Sequence, residues 1–493
     1  MTIPFSNIPS NLRVPLFYAE IDPRYANTTP LAQRGLLIGQ MSEAGTFTPN
    51  VPIQMTSVLD AADGAGAGSV LAQMITAWRA NDASGEVWVL PIADANGATA
   101  ATGTLTVTGT ATASGSIPLY IAGTLIAVTV SIGDTATIAG ANIATAINAA
   151  SVPVTAVAAA GVVTLTARNK GTVGNEVDLR LAYLGAAGGE SVPAGLAIAI
   201  VAMANGATDP TITDAVAALG DKTYDFIATG LNDSTTLDIL KTLLADTTGR
   251  WSPTQQLYGH VFAAKSGTAG TLAALGVARN DQHLSIIGFA DSPSPHWVWA
   301  AGIAGQAAVS LRDDPALPLQ YLTCAGILAP PIASRFSFPV RNATLLYSGI
   351  STWTADTSNN IVLENIVTTY VTNADGNADN SYLEVETLFT LMYVLRFMRS
   401  RIETKFGRVK LAADGTRVIA GSKVVTPKTI RADQIAAYRE LEEAGFVQNA
   451  DDFAKNLIVE KNATNPNRVD VLWPGTLIDQ LRVFAMLVQF RLT

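Results

Sequence analysis

Few side chains in this sequence stand at spacings that could do chemistry, and each such group also reads well without a ligand. The glycine run GAGAGS (64–69) opens a helical pattern, as a phosphate-cradling loop would. A dinucleotide fingerprint needs a third glycine where Ser69 stands, and a strand directly before the loop. The preceding SVLDAAD reads as helix, and the pattern ending Gly-Lys-Ser/Thr is absent. GAGAGS is therefore read as a junction between helices, with Ser69 as an N-cap. In NADGNADNSYLE (373–384), Asn373, Asp375, Asn377 and Asp379 alternate and Glu384 falls at the twelfth place, like the ligands of a calcium loop. The sixth place, where such a loop turns on glycine, is Ala378, and a strand rather than a helix enters the segment. A turn followed by a capping box of Ser381 and Glu384 accounts for the same residues.

The three histidines, His260, His283 and His296, have no helical partner or carboxylate framework that would complete a metal site. Cys324 lies in the apolar YLTCAGILAPP and reads as a buried, inert thiol. No Gly-x-Ser-x-Gly nucleophile elbow occurs. No catalytic residue, cofactor or metal is expected.

Charge is the feature left over. Ten basic residues and two acidic ones lie between Arg396 and Arg431, so this window carries about +8 on a chain of net charge −9. A solvated helix face, a nucleic-acid surface and a surface for an acidic protein all fit the composition, although no aromatic residues interleave the charges for base stacking. The rest of the composition is that of a folded protein: 493 residues, 48% hydrophobic and 14% charged. No apolar run is long enough to cross a membrane, and MTIPFSNIPSNLRVP lacks the basic start and apolar core of a secretory signal.

The elements that must carry these residues follow from periodicity. Residues 1–30 form a proline-punctuated arm in which VPLFYAEI (14–21) is β-like without a local mate. RGLLIGQ (34–40) and EVWVLPI (86–92) read as strands around the helix that starts after Ser69. Residues 94–206 turn to Ala, Thr, Gly, Val and Ile with period-two alternation, the mark of a mostly β domain inserted in a loop of the first. Strands and helices alternate from 211 to 311, as βαβ units of a mainly parallel sheet do. A C-terminal region follows, with strand IVLENIVTTYVT (361–372), a long helix to about Phe406, a shorter one near Gln434–Glu443, and strands at 457–461, 468–473 and 481–492. The last of these is apolar on both faces, as a strand inside a sheet is.

RDDPALPLQYLTCAGILAPP (312–331), RNATLLYSGIST (341–352) and the tract from Asn365 to Phe406 resemble the contractile-phage tail sheath proteins. So do RADQIAAYRELEEAGFVQN (431–449) and NPNRVDVLWPGTLIDQLRVFAMLVQFRL (465–492), and the opening FSNIPSNLRVPLFYAE is similar to the Mu-like subgroup. The resemblance implies a non-enzymatic subunit that polymerises helically around a tail tube and contracts to drive it through the host envelope. It implies an α/β and α+β multidomain fold: an arm (1–30), a discontinuous α/β domain (31–93 and 207–339), a peripheral insertion (94–206), a tube-facing C-terminal α+β domain (340–475) and a donor strand (476–493). Terminal strands are exchanged between subunits, with Val14, Leu16, Phe17, Tyr18, Leu481, Val483, Phe484, Met486, Val488, Phe490 and Leu492 as candidates. Arg396, Arg399, Arg401, Lys405, Arg408 and Lys410 are candidates to face an acidic tube. Implied partners are other copies of the chain, the tail tube protein, and baseplate and tail terminator proteins, but neither nucleic acid nor a membrane. The implied location is the phage tail, assembled in the host cytoplasm. A self-assembling surface-layer or adhesin-like protein is the alternative that the Ala/Thr/Gly-rich insertion suggests.

Overall fold

The computed structural model describes residues 33–58, 63–417, 419 and 421–492, so Val14, Leu16, Phe17 and Tyr18 lie outside the described residues. The chain enters through β1 (Gly35–Gln40), buried at every position, then β2 (Ile53–Met55), helix α1 (Val70–Asn81) and β3 (Val87–Ile92). Ser69 caps α1, its Oγ accepting from the Ala72 amide at 3.2 Å, as its residue type demands.

The Ala/Thr-rich stretch supplies β4 (Ala100–Gly109), β5 (Gly115–Ile121), β6 (Thr124–Val130), α2 (Ala136–Ala149), β7 (Val154–Ala159), β8 (Val162–Lys170), β9 (Leu179–Leu181) and β10 (Leu196–Ala204). They form a four-stranded sheet, β10-β4-β8-β7, and a three-stranded one, β6-β5-β9, with α2 packed on β6 and β7. Small residues let helix and turn approach closely. A Cβ on Gly140 of α2 would sit 3.3 Å from the Gly161 backbone. A bridge between Thr99 and Ala207 closes the neck where these residues leave the main chain path.

The α/β part continues with α3 (Thr213–Ala217), β11 (Phe226–Thr229), α4 (Ser234–Leu244), β12 (His260–Ser266), α5 (Ala269–Arg279), β13 (Leu284–Phe289), α6 (His296–Asp313), β14 (Thr323–Cys324), β15 (Ile350–Ala355) and β16 (Ile361–Asn365). A nine-stranded sheet runs β14-β16-β15-β13-β12-β11-β1-β3-β2, parallel from β15 to β3 and antiparallel at both ends. Strand side chains alternate between two cores. Leu37, Val89, Phe226, Phe262 and Ile287 pack with α1 and α6, while Leu36, Ile38, Ile227, Val261 and Ile286 pack with α4 and α5. The strand expected over 361–372 stops at Asn365. The Ser351 hydroxyl bonds both the amide and the carbonyl of Val367, which takes those groups out of the ladder.

Helix α7 (Val385–Phe406) joins two cores: Val385, Phe389 and Met392 belong to the α/β body, and Val394 to a separate C-terminal cluster with Tyr438, Leu441 and Phe453. The expected capping box does not form. The Ser381 hydroxyl donates to Asp379, and Glu384 is the N-cap residue with no side-chain bond to the helix, because its carboxylate accepts from Arg482 instead. After β17 (Lys410–Leu411) and β18 (Val424–Val425), α8 (Pro427–Glu443) starts seven residues before the expected Gln434, with Thr426 as N-cap and Pro427 in the first turn. Then come β19 (Val447–Gln448), α9 (Ala450–Asn456), β20 (Ile458–Lys461), β21 (Val469–Leu472) and β22 (Thr476–Leu477). The segment expected as a strand at 481–492 pairs with no strand among the described residues.

Candidate assembly interface

Two concavities among the described residues offer no catalytic constellation. A cavity of about 210 Å³ is lined by Arg335, Phe336, Arg341 and Trp353, and its two arginines are held by Asn359 and Glu364. A shallow groove of about 520 Å³ runs between Pro253–Tyr258 and the Leu395–Ile402 face of α7. All three histidines are buried: His260 bonds Ser285, His283 bonds Asp246, and His296 bonds Glu176 and the Gly230 carbonyl. Burial, with neighbouring His283, holds His260 well below the ordinary imidazole range. Burial pushes the Cys324 thiol up to about 12, which leaves it protonated and inert. Among the described residues no group of three or more His, Cys, Asp or Glu could hold a metal, and no helix is long and apolar enough to cross a membrane.

The exposed apolar surface is concentrated at the C-terminus. Val483, Phe484, Met486, Leu487, Val488, Phe490 and Leu492 are 66–90% exposed, and Leu481 is exposed beside them. The chain is fixed up to this point. β22 pairs with β19, the Ile478 amide donates to the Phe446 carbonyl, and Gln320 Nε2 donates to the Leu481 carbonyl at 3.1 Å. Burying seven such side chains is worth roughly 10–20 kcal/mol. Ordering about ten backbone residues costs a similar roughly 10–20 kcal/mol. Main-chain hydrogen bonds to a receiving strand would therefore decide the balance.

A receiving edge is present. β20 and β21 pair antiparallel, Ile458 with Leu472 and Lys461 with Val469, and neither pairs with another strand among the described residues. Ile458, Val471 and Leu472 are exposed on this hairpin. Trp473, next to β21, packs on Tyr438 and Phe453 and so ties the hairpin to the C-terminal core.

The basic band divides. Arg396, expected on an exposed face, is mostly enclosed and paired with the fully buried Asp225 at the entry of β11, and Asp225 Oδ2 also accepts from the Arg34 amide. Burial raises the Asp225 carboxyl, and the Arg396 charge opposes that rise. Arg401, expected beside it, is equally enclosed, held bidentate by Asp433 at 3.0 Å and by Glu440 at 2.6 Å, which locks α7 to α8. Burial raises the Asp433 carboxyl, but Arg401 and Lys405 outweigh it and hold the group below the ordinary range. Lys405 shares Asp433 at 2.6 Å, and Arg399 pairs along the helix with Glu403 at 2.8 Å, both from half-exposed positions. Arg408 and Lys410 are exposed and have no ion pair among the described residues. Arg417, Lys423 and Lys428, which belong to the same basic window but not to the tube-facing candidates, are exposed in the same way around β17 and β18.

The fold is thus a doubly wound sheet with an appended β unit and a C-terminal α+β unit, and its largest unmet surface suits another protein chain rather than a small molecule. Residues 205–369 match the phage tail sheath protein central domain, and residues 377–491 match the phage tail sheath C-terminal domain. The chain is 39% identical to the Mu-like prophage FluMu tail sheath protein of Haemophilus influenzae, over 99% of this chain and all of that protein. A chain of the PVC sheath complex of an extracellular contractile injection system, in its contracted state, has the same fold at a TM-score of 0.50 and 9% identity, covering 98% of each chain. A chain of the contracted anti-feeding prophage baseplate matches at 0.50 and 10% identity, over 98% of this chain and 99% of that one. The chain belongs to the phage tail sheath family. It is a structural subunit of a contractile phage tail, a family of structural proteins rather than enzymes.

Proposed function

We propose that this subunit polymerises helically around a tail tube and that contraction of the polymer drives the tube through the host envelope. Copies are linked by strand donation: residues 483–492 of one chain pair with an edge of the β20–β21 hairpin of another, and the N-terminal segment 14–21 is exchanged in the same way. The single observation that carries this is an extended, doubly apolar segment left exposed beyond a fixed root, on a molecule that also offers a hairpin with both edges unpaired among the described residues. Donation from one copy to the next is heterologous and does not close on itself, so it builds open helical polymers.

The tube is met by exposed cations that have no ion pair among the described residues, Arg408 and Lys410 foremost, with partial help from Arg399 and Lys405, against an acidic tube surface. Exposed pairs are individually weak and screened by salt, so many of them hold a tube and still release it during contraction. Energy for contraction resides in the assembled extended state, since no nucleotide site is read in the sequence. Baseplate and terminator proteins bound the two ends of the polymer, and assembly takes place in the host cytoplasm. The surface-layer or adhesin-like alternative is disfavoured by the full-length likeness to a tail sheath protein. Removal of residues 483–493 tests the reading: the subunit should stay soluble and folded but form no tubes in negative-stain micrographs, and normal tubes would refute donation.

A further inference from the structure

Within the exposed C-terminal segment one side chain behaves differently from its neighbours. Arg482 is only 14% exposed, while Leu481 and Val483 on either side are open to solvent. Its Nη2 donates to Glu384 Oε2 at 2.9 Å and to Glu386 Oε1 at 2.8 Å. Both carboxylates stand at the N-terminus of α7, where the helix dipole favours negative charge. Glu386 is fully buried, and its Oε1 also accepts from the Leu319 amide at 2.5 Å. Next to Leu319, Gln320 reaches the Leu481 carbonyl. The arm root is therefore clamped from two elements distant in sequence, the start of α7 and the proline-rich connection after α6.

Placing an arginine and two carboxylates here is a poor way to gain stability, because desolvating the charges cancels most of their attraction. Its physical merit is geometric. A guanidinium held by two fixed carboxylates defines a position and a direction in a way that an apolar contact does not. We infer that Arg482 is a positioning residue of this chain: it fixes the root of the C-terminal arm on the subunit body, so that donation starts at Val483 and every copy projects its arm in one direction. At about 3.3 Å per residue, the segment from Val483 to Leu492 then reaches roughly 33 Å from a fixed point. An arm free from residue 478 onward would sweep a wider volume and add strands in variable directions. This inference rests on the strand-donation reading.

The clamp has a readout that does not depend on assembly. In dilute, unpolymerised full-length subunits, brief trypsin treatment should cut after the exposed Arg491 and spare Arg482. In the Glu384→Gln/Glu386→Gln variant, cleavage after Arg482 should rise roughly tenfold or more relative to Arg491, the factor expected for loss of charge-assisted bonds. The same variant should keep its circular dichroism spectrum and melt cooperatively, yet give few regular tubes. Arg482→Lys retains the charge and should restore tubes in part. If the double variant does not fold, Glu384→Gln alone and Arg482→Gln keep the assembly readout. Cleavage after Arg482 as fast as after Arg491 in the wild type, or regular tubes from the folded double variant, would overturn the clamp. If tubes are lost on removing 483–493 while the double variant assembles normally, the clamp fails and donation stands. If the truncated chain itself forms tubes, donation fails, and the clamp's role in assembly with it.

Discussion

Asp225 and Arg396 show how far a residue's role is set by partners distant in sequence. Along α7, Arg396 continues a basic face. In three dimensions it answers a buried carboxylate 171 residues earlier, which in turn holds the amide of Arg34 at the start of the described fold. Truncating one member of such a pair strands the other charge without water. Arg396→Ala should therefore lower unfolding free energy by about 3–5 kcal/mol in urea titration, and Asp225→Asn on top of it should recover part of the loss. A wild-type denaturation midpoint for the single variant would show the pair to be dispensable.

Glu176 makes a second residue-scale case, because it ties the inserted β unit to the body. It lies 2.6 Å from His296 at the start of α6 and 3.8 Å from Lys265 on β12. Burial opposes its ionisation, but the charges of His296 and Lys265 outweigh that and bring the carboxyl from its ordinary 4.5 down to about 2. A carboxyl depressed on folding stabilises fully above its unfolded value and loses that contribution as pH falls. The group is a third exposed, so screening leaves about 1–2 kcal/mol, present above about pH 4.5 and gone near pH 2. Melting curves of wild type and Glu176→Gln should differ at pH 6 and converge on acidification; parallel curves across that range would remove Glu176 from the account.

At the scale of elements, local chemistry was readable wherever local bonds decide the outcome. Ser69 caps α1 because its hydroxyl needs only the Ala72 amide three residues on. The buried strands at 35–40 and 87–92 declare themselves by apolar runs, and the two-faced core follows from parallel strands covered on both sides. What could not be read are choices made by distant partners: Glu384 leaves a helix cap for Arg482, and Arg401 leaves the surface for Asp433 and Glu440. The 481–492 segment has a strand's pattern and no strand partner among the described residues, because a pattern specifies which faces must be covered and not which chain covers them. The Ala/Thr-rich unit raises a question at this same scale. Its ends meet at the Thr99–Ala207 bridge, so a two-residue glycine linker can replace it. Yet Asn169 is buried and bonded to Met41 and Val70, and Arg180 pairs with Asp291 at 2.6 Å. Excision removes these polar contacts and the part of the apolar cluster that the unit shares with the body, so it should lower the melting temperature by several degrees or more, while the remaining chain still forms tubes. Complete loss of soluble protein would place these residues in the essential core.

For the whole molecule, the described residues form a packed body from which an exposed C-terminal arm leaves. The sheet and its two covering layers hold a fixed shape, α7 carries that rigidity into the C-terminal core, and the apolar arm leaves from a clamped root. Bodies of this kind can rotate against one another while arms keep them tethered, which is what a contracting polymer requires. The most direct test is a near-atomic helical reconstruction of tubes assembled from the full-length chain. Residues 483–492 of each subunit should lie as a strand against β20 or β21 of a neighbour, leaving a root at which Arg482 still contacts Glu384 and Glu386. An arm folded back along its own subunit, or tubes whose neighbours touch only through their globular bodies, would contradict it.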